Sequence, residues 1–478
     1  MIVNITDGLK TAERIKNIYI IAIKGLFMFL LVFSAGCNKH EDIQIPFVPA
    51  DIRSVNLYID ESMDVYYLWK DNMPVNLNPD TEPDPKEYFD KLLYKIEDRW
   101  SFITEDYQEL INHFSGIEYS FGHNFKLFRE EGSDNVFGIV QYVVKNSPAD
   151  VAGLDRGDVF YAVDGIRLTI NNYLGLLFEK DSYSLGMADI VEGEIISNNE
   201  EVNLLAAEFQ ENPVYLDTVY NLSGRNIGYF VYTQFIQNFN QNLEDLFASF
   251  KSQNVSDLVI DLRYNPGGSI STARLLASLI APADAVSSES VFARYIWNDN
   301  IEQYWLDEEG SESHNLMIKF LNTGNNMDLD KVYFLVTNNS ASASETLING
   351  LLPYMDVVLI GETTSGKYTG SITLHDEKRS FNWAIQPIVL KTANANGETE
   401  FRDGFAPDYL IMDDLFSPLG SYGEGMLTEA LELITGIPSD QLARKAHPEF
   451  LKNASPLISG GRMPVEDRQE LWIDNFRE

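Results

Sequence analysis

From Val214 onward the chain alternates short apolar runs with segments of helical spacing, and few folds accommodate that alternation. Ile227-Gly228-Tyr229-Phe230-Val231-Tyr232, Leu258-Val259-Ile260-Asp261-Leu262-Arg263, Val332-Tyr333-Phe334-Leu335-Val336 and Val357-Val358-Leu359-Ile360 each read as a buried strand. Between them, Leu243-Glu244-Asp245-Leu246-Phe247-Ala248-Ser249-Phe250 reads as a helix, as does the stretch through Ala273, Leu275-Leu276 and Leu279-Ile280. Strands alternating with helices indicate an α/β layer architecture. A polar, aromatic insert from about Ser287 to Asp330 interrupts it. Later strands are expected through Trp383-Ala384-Ile385 and Ile388-Val389-Leu390, with Pro387 marking an edge position or a break in pairing.

With 478 residues, 45% of them hydrophobic, the chain has material for a large core and a length that suggests about three domains. Its 72 acidic against 35 basic residues give a formal charge of −37, which repels phosphate backbones and argues against nucleic-acid binding. The single cysteine, Cys37, excludes an intramolecular disulfide. Upstream of it lie Lys10, Arg14, Lys16 and Lys24, then the apolar run from Gly25 to Phe33, then Ser34-Ala35-Gly36. A basic region, a short apolar stretch and small residues before the cut describe a secretory signal over residues 1–36. Cys37 directly after them resembles a lipoprotein lipobox, although Ser34 stands where an aliphatic residue is usual. The resemblance implies lipidation of Cys37 and a body held outside the cytoplasm, periplasmic or at the cell surface. The alternative is an uncleaved anchor, but Lys24 interrupts the apolar run and leaves it short of a clean span of about 20 residues. Lys39, Glu41 and Asp42 resemble the acidic export tag of Bacteroidetes-type lipoproteins.

Residues 37–115 read as a tether, Ile45-Pro46-Phe47-Val48-Pro49, followed by a small helical domain. Val55, Tyr58, Ile59, Met63, Tyr66 and Trp69 recur at roughly helical spacing, and a second amphipathic helix is expected from Lys86 to Ile96. Residues 116–205 are richer in strand signals. There Ser147-Pro148-Ala149 starts a short helix, Gly153 suits its left-handed end, and Asp164-Gly165 is a hairpin signal. The series Ser147-Pro148-Ala149, Ala152-Gly153-Leu154 and Gly157-Asp158 resembles a PDZ domain of bacterial processing proteases. Such domains add an extended peptide to a sheet edge and hold its carboxylate on backbone N–H groups. The resemblance places that loop at Ser120-Phe121-Gly122.

The strand Val332–Val336 runs into Asn338-Asn339-Ser340-Ala341-Ser342-Ala343-Ser344-Glu345, and a helix can follow through Thr346–Leu352. Serines among alanines at a strand-to-helix junction fit a nucleophile backed by the N–H groups of a helix start. They equally fit a plain helix cap. The six histidines form no motif and no zinc-ligand spacing; His375 is the nearest to a triad candidate. Lys367 ends Gly361-Glu362-Thr363-Thr364-Ser365-Gly366-Lys367, just past a buried strand. Burial would lower its pKa from about 10.4, and a neutral amine can take a serine's proton. The bland reading is a solvated surface lysine.

Asp261-Leu262-Arg263-Tyr264-Asn265-Pro266-Gly267-Gly268, the serine segment, and Gly361-Glu362 through Gly366-Lys367 together resemble the S41 family of C-terminal processing (tail-specific) serine peptidases. The resemblance extends over roughly 117–435 and includes Gly404-Phe405-Ala406-Pro407-Asp408. It implies a multidomain α/β chain, with a ClpP/crotonase-like core over 206–436 after the PDZ-like and helical domains, and an extension over 437–478. The 25 residues from Ser342 to Lys367 match the family's spacing, so the resemblance makes Ser342 nucleophile and Lys367 general base. Oxyanion donors would be the N–H groups of Ala343 and of Gly267 or Gly268. Where the family often carries a lysine-orienting glutamine stands Ser371, and Tyr368 replaces a glycine. The implied activity is cleavage of polypeptide substrates with no metal or organic cofactor. Two other classes share the pattern: a catalytically silent peptide-binding scaffold, and a crotonase-like acyl-CoA activity, which the secretion signal disfavours.

Overall fold

The computed structural model describes residues 48–378, 380–399, 401–438, 441, 454–459 and 471–472. The signal segment, Cys37 and most of the tether lie outside the described residues. In the helix Ala50–Tyr66 one face buries Val55, Ile59 and Met63, spaced i, i+4, i+8. Asp84 accepts from the N–H of Lys86 and caps the helix Pro85–Leu92. That helix stops four residues short of the expected Ile96. The Tyr94 N–H turns instead to the hydroxyl of fully buried Tyr67, and Ile96 is left 69% exposed. After β1 (Phe102–Thr104) comes the helix Tyr107–Phe114, capped by Asp106. This region has no separate interior: Ile59, Met63, Tyr67 and Phe89 join the same core cluster as Phe292, Trp297 and Leu390.

The next stretch holds β2 (Ile117–Ser120), β3 (His123–Arg129), β4 (Val136–Val143), β5 (Val159–Val163), β6 (Ile166–Arg167), β7 (Ser182–Val191), β8 (Glu194–Leu205) and β9 (Ala207–Gln210). Strands β3-β4-β5-β7-β8 form an antiparallel sheet, and β2 pairs with β9. Phe125, Val140, Phe160, Leu177 and Leu185 make its own core. As expected, Pro148 opens a short helix, Pro148–Val151, which Ser147 caps, and Asp164-Gly165, both at positive φ, turns β5 into β6.

The main sheet has the order β10 (Val214–Leu222), β11 (Arg225–Tyr232), β12 (Asp257–Asp261), β16 (Lys331–Val336), β17 (Asp356–Gly361), β22 (Tyr409–Leu410), parallel from β11 onward. Parallel neighbours need crossovers, which the helices Asn240–Ser252, Ile270–Ile280 and Ala343–Leu351 supply. Phe230, Tyr232, Ile260 and Phe334 pack on that helical side, while Tyr229, Val231, Val259 and Leu335 pack on the helix Gly425–Thr435. Both faces are covered, which is why these strands are apolar without alternation.

A second six-stranded sheet has the order β13 (Gly268–Ser269), β24 (Leu471–Trp472), β18 (Thr369–Ser371), β21 (Ile388–Ala393), β14 (Val291–Trp297), β15 (Met317–Lys319). The expected interruption over 287–330 is corrected here: the segment supplies β14, β15 and the helix Asp299–Glu309, and buries Phe292, Tyr295 and Trp297. Pro387 does break pairing, since β19 (Leu374–His375) and β20 (Ala384–Gln386) join β1 in a separate small sheet. Finally β23 (Ser455–Ser459) adds antiparallel to the outer edge of β3.

Candidate functional site

The serine segment leaves the end of β16 and is pinned to the loop after β12. Ser340 Oγ donates to Leu262 O at 2.8 Å and accepts from Thr337 N at 3.0 Å. Ser344 Oγ donates to Asn265 O at 3.1 Å, and Ala341 N reaches the same carbonyl. The middle serine differs. Ser342 is fully buried, yet its hydroxyl has no hydrogen-bond partner among the described residues. It stands at the N-cap of the helix Ala343–Leu351 with φ 62° and ψ −109°. A side chain at that φ is strained and persists only where its surroundings hold it. Ala343 is the first helical residue, so its N–H has no partner one turn back.

What holds Ser342 is Glu345, a residue the sequence reading left without a role. Its buried carboxylate accepts from Ser342 N at 2.9 Å, from Gly366 N at 2.7 Å, from Lys367 N at 2.8 Å and from Thr364 Oγ1 at 2.6 Å. The bond to Ser342 N is the acidic half of a capping box at the start of this helix. Burial pushes the Glu345 carboxyl up, against the opposing pull of the Thr364 hydroxyl and the three N–H donors. The pattern Ser-x-x-Glu was the available signal.

The same carboxylate oxygen thus receives the backbones of Ser342 and Lys367. Lys367 is 2% exposed. Gly366 before it has φ 89°, and a Cβ there would lie 2.0 Å from Arg402 O, so the loop passes against the Gly404 segment with no room for a side chain. Thr364 and Phe405 bond to each other in both directions across that contact. Ser371, on β18, accepts from Gln386 Nε2 at 3.0 Å. A glutamine is therefore present beside Ser371, delivered from β20 rather than from the lysine's own strand; its distance in sequence gave no signal.

The N–H of Gly267 donates to Asn265 Oδ1 at 2.9 Å, closing a tight turn. Gly268 has φ 132°, and a Cβ there would meet Phe235 O at 2.3 Å. Behind this turn Arg263, with no exposure, bonds to Asp261, Asp413 and Glu424. Burial alone would raise Glu424, but Arg263 outweighs it and draws that carboxyl down. Arg156, from the PDZ-like unit, reaches Asp413 at 2.7 Å and also bonds to Tyr264 Oη and Ser417 O. The loop that carries Gly267 and Gly268 is thereby tied to the neighbouring unit.

The other residues singled out lie elsewhere. Ser120 ends β2, Phe121 packs on Tyr183, and Gly122 O accepts from Val144 N, so the three form the turn that leads into β3. His375 stacks on the Tyr107 ring at 3.9 Å. Among the described residues no group of three or more His, Cys, Asp or Glu side chains could hold a metal, and no helix is long and apolar enough to cross a membrane.

Three family matches fall on these units: Peptidase family S41 over residues 226–411, Peptidase S41 N-terminal domain over 54–102, and PDZ domain over 139–178. A carboxyl-terminal-processing protease of Synechocystis is 24% identical over 295 residues, 61% of this chain and 63% of that protein. The carboxy-terminal processing protease CtpA of Bacillus subtilis is 23% identical over 55% of this chain and 51% of that protein. The chain thus spans between half and two thirds of these relatives' lengths. A crystal structure from Bacteroides fragilis, assigned to the S41 proteases, superposes with a TM-score of 0.66 at 28% identity, covering 80% of this chain and 97% of that one.

Proposed function

We propose that this chain, whose residues 226–411 belong to peptidase family S41, is a serine endopeptidase that cleaves polypeptides with Ser342 and Lys367. Ser342 Oγ attacks the scissile carbonyl, Lys367 takes its proton and returns it to the leaving amine, and water then releases the acyl group. The observation that carries this reading is the contrast among the three serines. Ser340 and Ser344 spend their hydroxyls on backbone carbonyls, whereas the Ser342 hydroxyl has no such bond and its backbone shares Glu345 with Lys367. Lys367 is buried, at 2% exposure, on the loop whose backbone N–H groups share Glu345 with Ser342. Ala343 N–H and Gly268 N–H are the oxyanion donors in this reading, because Gly267 N–H is engaged by Asn265. Gln386 steadies Ser371, and Ser371 in turn borders the lysine loop. The PDZ-like unit receives an extended, C-terminal segment of the substrate at the edge near Ser120-Phe121-Gly122. Lipidation of Cys37 holds the enzyme outside the cytoplasm on a membrane, a reading supported by the small residues before that cysteine.

Mass spectrometry of fragments released from an unstructured polypeptide tests the activity. Ser342→Ala and Lys367→Ala should each cut the rate about 10⁴-fold or more with the chain still folded. Proteolysis persisting in purified Ser342→Ala would remove Ser342 from the mechanism.

A further inference from the structure

Strand β24 is held on both sides. Leu471 and Trp472 pair parallel with Gly268 and Ser269, and Trp472 pairs parallel with Ser371. Its two neighbours are the strands that leave the two halves of the candidate site: β13 starts at Gly268, and β18 starts two residues beyond Lys367. The backbone directions sharpen this. Gly267 O accepts from Phe235 N, and Ser269 N donates to Phe235 O, both at 2.9 Å. Polar groups alternate sides along a strand, so those of Gly268 face the other way, toward β24. The N–H assigned above to the oxyanion therefore opens into the slot that β24 fills.

A second late strand covers the other peptide-receiving edge. β23 runs antiparallel along β3, with Ser455 opposite Arg129 and Ser459 opposite Lys126, so that it heads toward the turn at Ser120–Gly122. An exposed edge next to such a turn is where an extended peptide adds as a strand. Two short strands late in the chain, β23 and β24, thus lie along both places where a substrate's main chain would pair.

We propose that the strands β23 and β24 are internal occupants of the substrate path, and that a polypeptide gains the slot between Gly268 and Ser371 by displacing β24. This rests on the peptidase reading above, although occupancy of the slot can be measured without catalysis. A ladder of two residues is a weak clasp that a longer peptide can replace, and pairing through the backbone makes the replacement tolerant of sequence. The resting chain is accordingly self-blocked.

The test uses the full chain carrying Ser342→Ala, with and without Leu471→Pro, and a fluorescent peptide of residues 467–478. Proline removes an N–H and disfavours a central strand, so it should empty the slot. The peptide should then bind at least tenfold more tightly to the double variant; equal affinity overturns the proposal. Trp472→Gly serves as a second way to weaken the strand if the proline variant does not fold. In the chain with Ser342 intact, Leu471→Pro should lower KM for an unstructured polypeptide at least threefold at unchanged kcat. A fall in kcat in a folded variant would make β24 part of the machinery and overturn its role as an occupant. Tenfold tighter peptide binding without cleavage by any variant would uphold the slot and refute the peptidase reading alone.

Discussion

Ser342 is held at φ 62° by its neighbours, so the residue proposed to do the chemistry is also one that costs stability. Glycine adopts such a φ freely. Ser342→Gly should therefore be more stable than Ser342→Ala by about 1 kcal/mol in denaturant melts, although both are inactive. Glu345→Gln keeps the size of the side chain but turns an acceptor-only group into one with an NH₂ facing donors. With Ser342 and Lys367 both hung on that carboxylate, kcat should fall about 100-fold while KM holds. Equal changes in Tm for Gln and Ala variants without loss of kcat would make Glu345 merely structural. The three serines, their spacing to Lys367 and the Ser-x-x-Glu pattern were visible in the sequence. Which serine keeps its hydroxyl out of hydrogen bonds was not, because that depends on Leu262 and Asn265, carbonyls about 80 residues away.

At the scale of elements, the core strands were legible because both faces are covered and their residues are apolar throughout. The helix expected to reach Ile96 was misjudged because Tyr67, distant in sequence, captures the Tyr94 N–H. The segment 287–330 looked like an insert because β14 pairs with β21, nearly 100 residues later, and β15 joins the sheet only through β14. On β3, His123 is buried, with Tyr183 Oη 3.3 Å from Nε2, and burial holds its pKa down at about 4. Below pH 6.5 the unfolded chain binds a proton that the folded chain refuses, so stability falls as pH drops from 6.5 to about 4. The loss attributable to His123 is about 3 kcal/mol, and His123→Gln should lack it when unfolding is compared at pH 7 and pH 4. Arg156 joins the PDZ-like sheet to the loop behind Gly267 through Asp413. Arg156→Ala removes one of the two guanidinium groups on the buried Asp413 carboxylate, that of Arg263 remaining, and should cost about 2 kcal/mol in chemical denaturation.

Over the whole molecule, two sheets and their helices converge on one point. The parallel sheet delivers Ser342 and the Gly267–Gly268 turn from adjacent strand ends, β17 leads into the lysine loop, and β18 leaves it toward the second sheet. The α/β layer architecture was readable from alternation; the strand order and the placement of β23 and β24 were not, since pairing partners far apart in sequence and two short strands carry no periodic signal. The central claim is that Ser342 is a nucleophile activated by Lys367, and covalent labelling tests it most directly. Incubation with a fluorophosphonate, followed by peptide mapping, should give a single adduct on Ser342 that disappears in Lys367→Met. An adduct on Ser340 or Ser344, or equal labelling of Ser342 without the lysine, would contradict that claim.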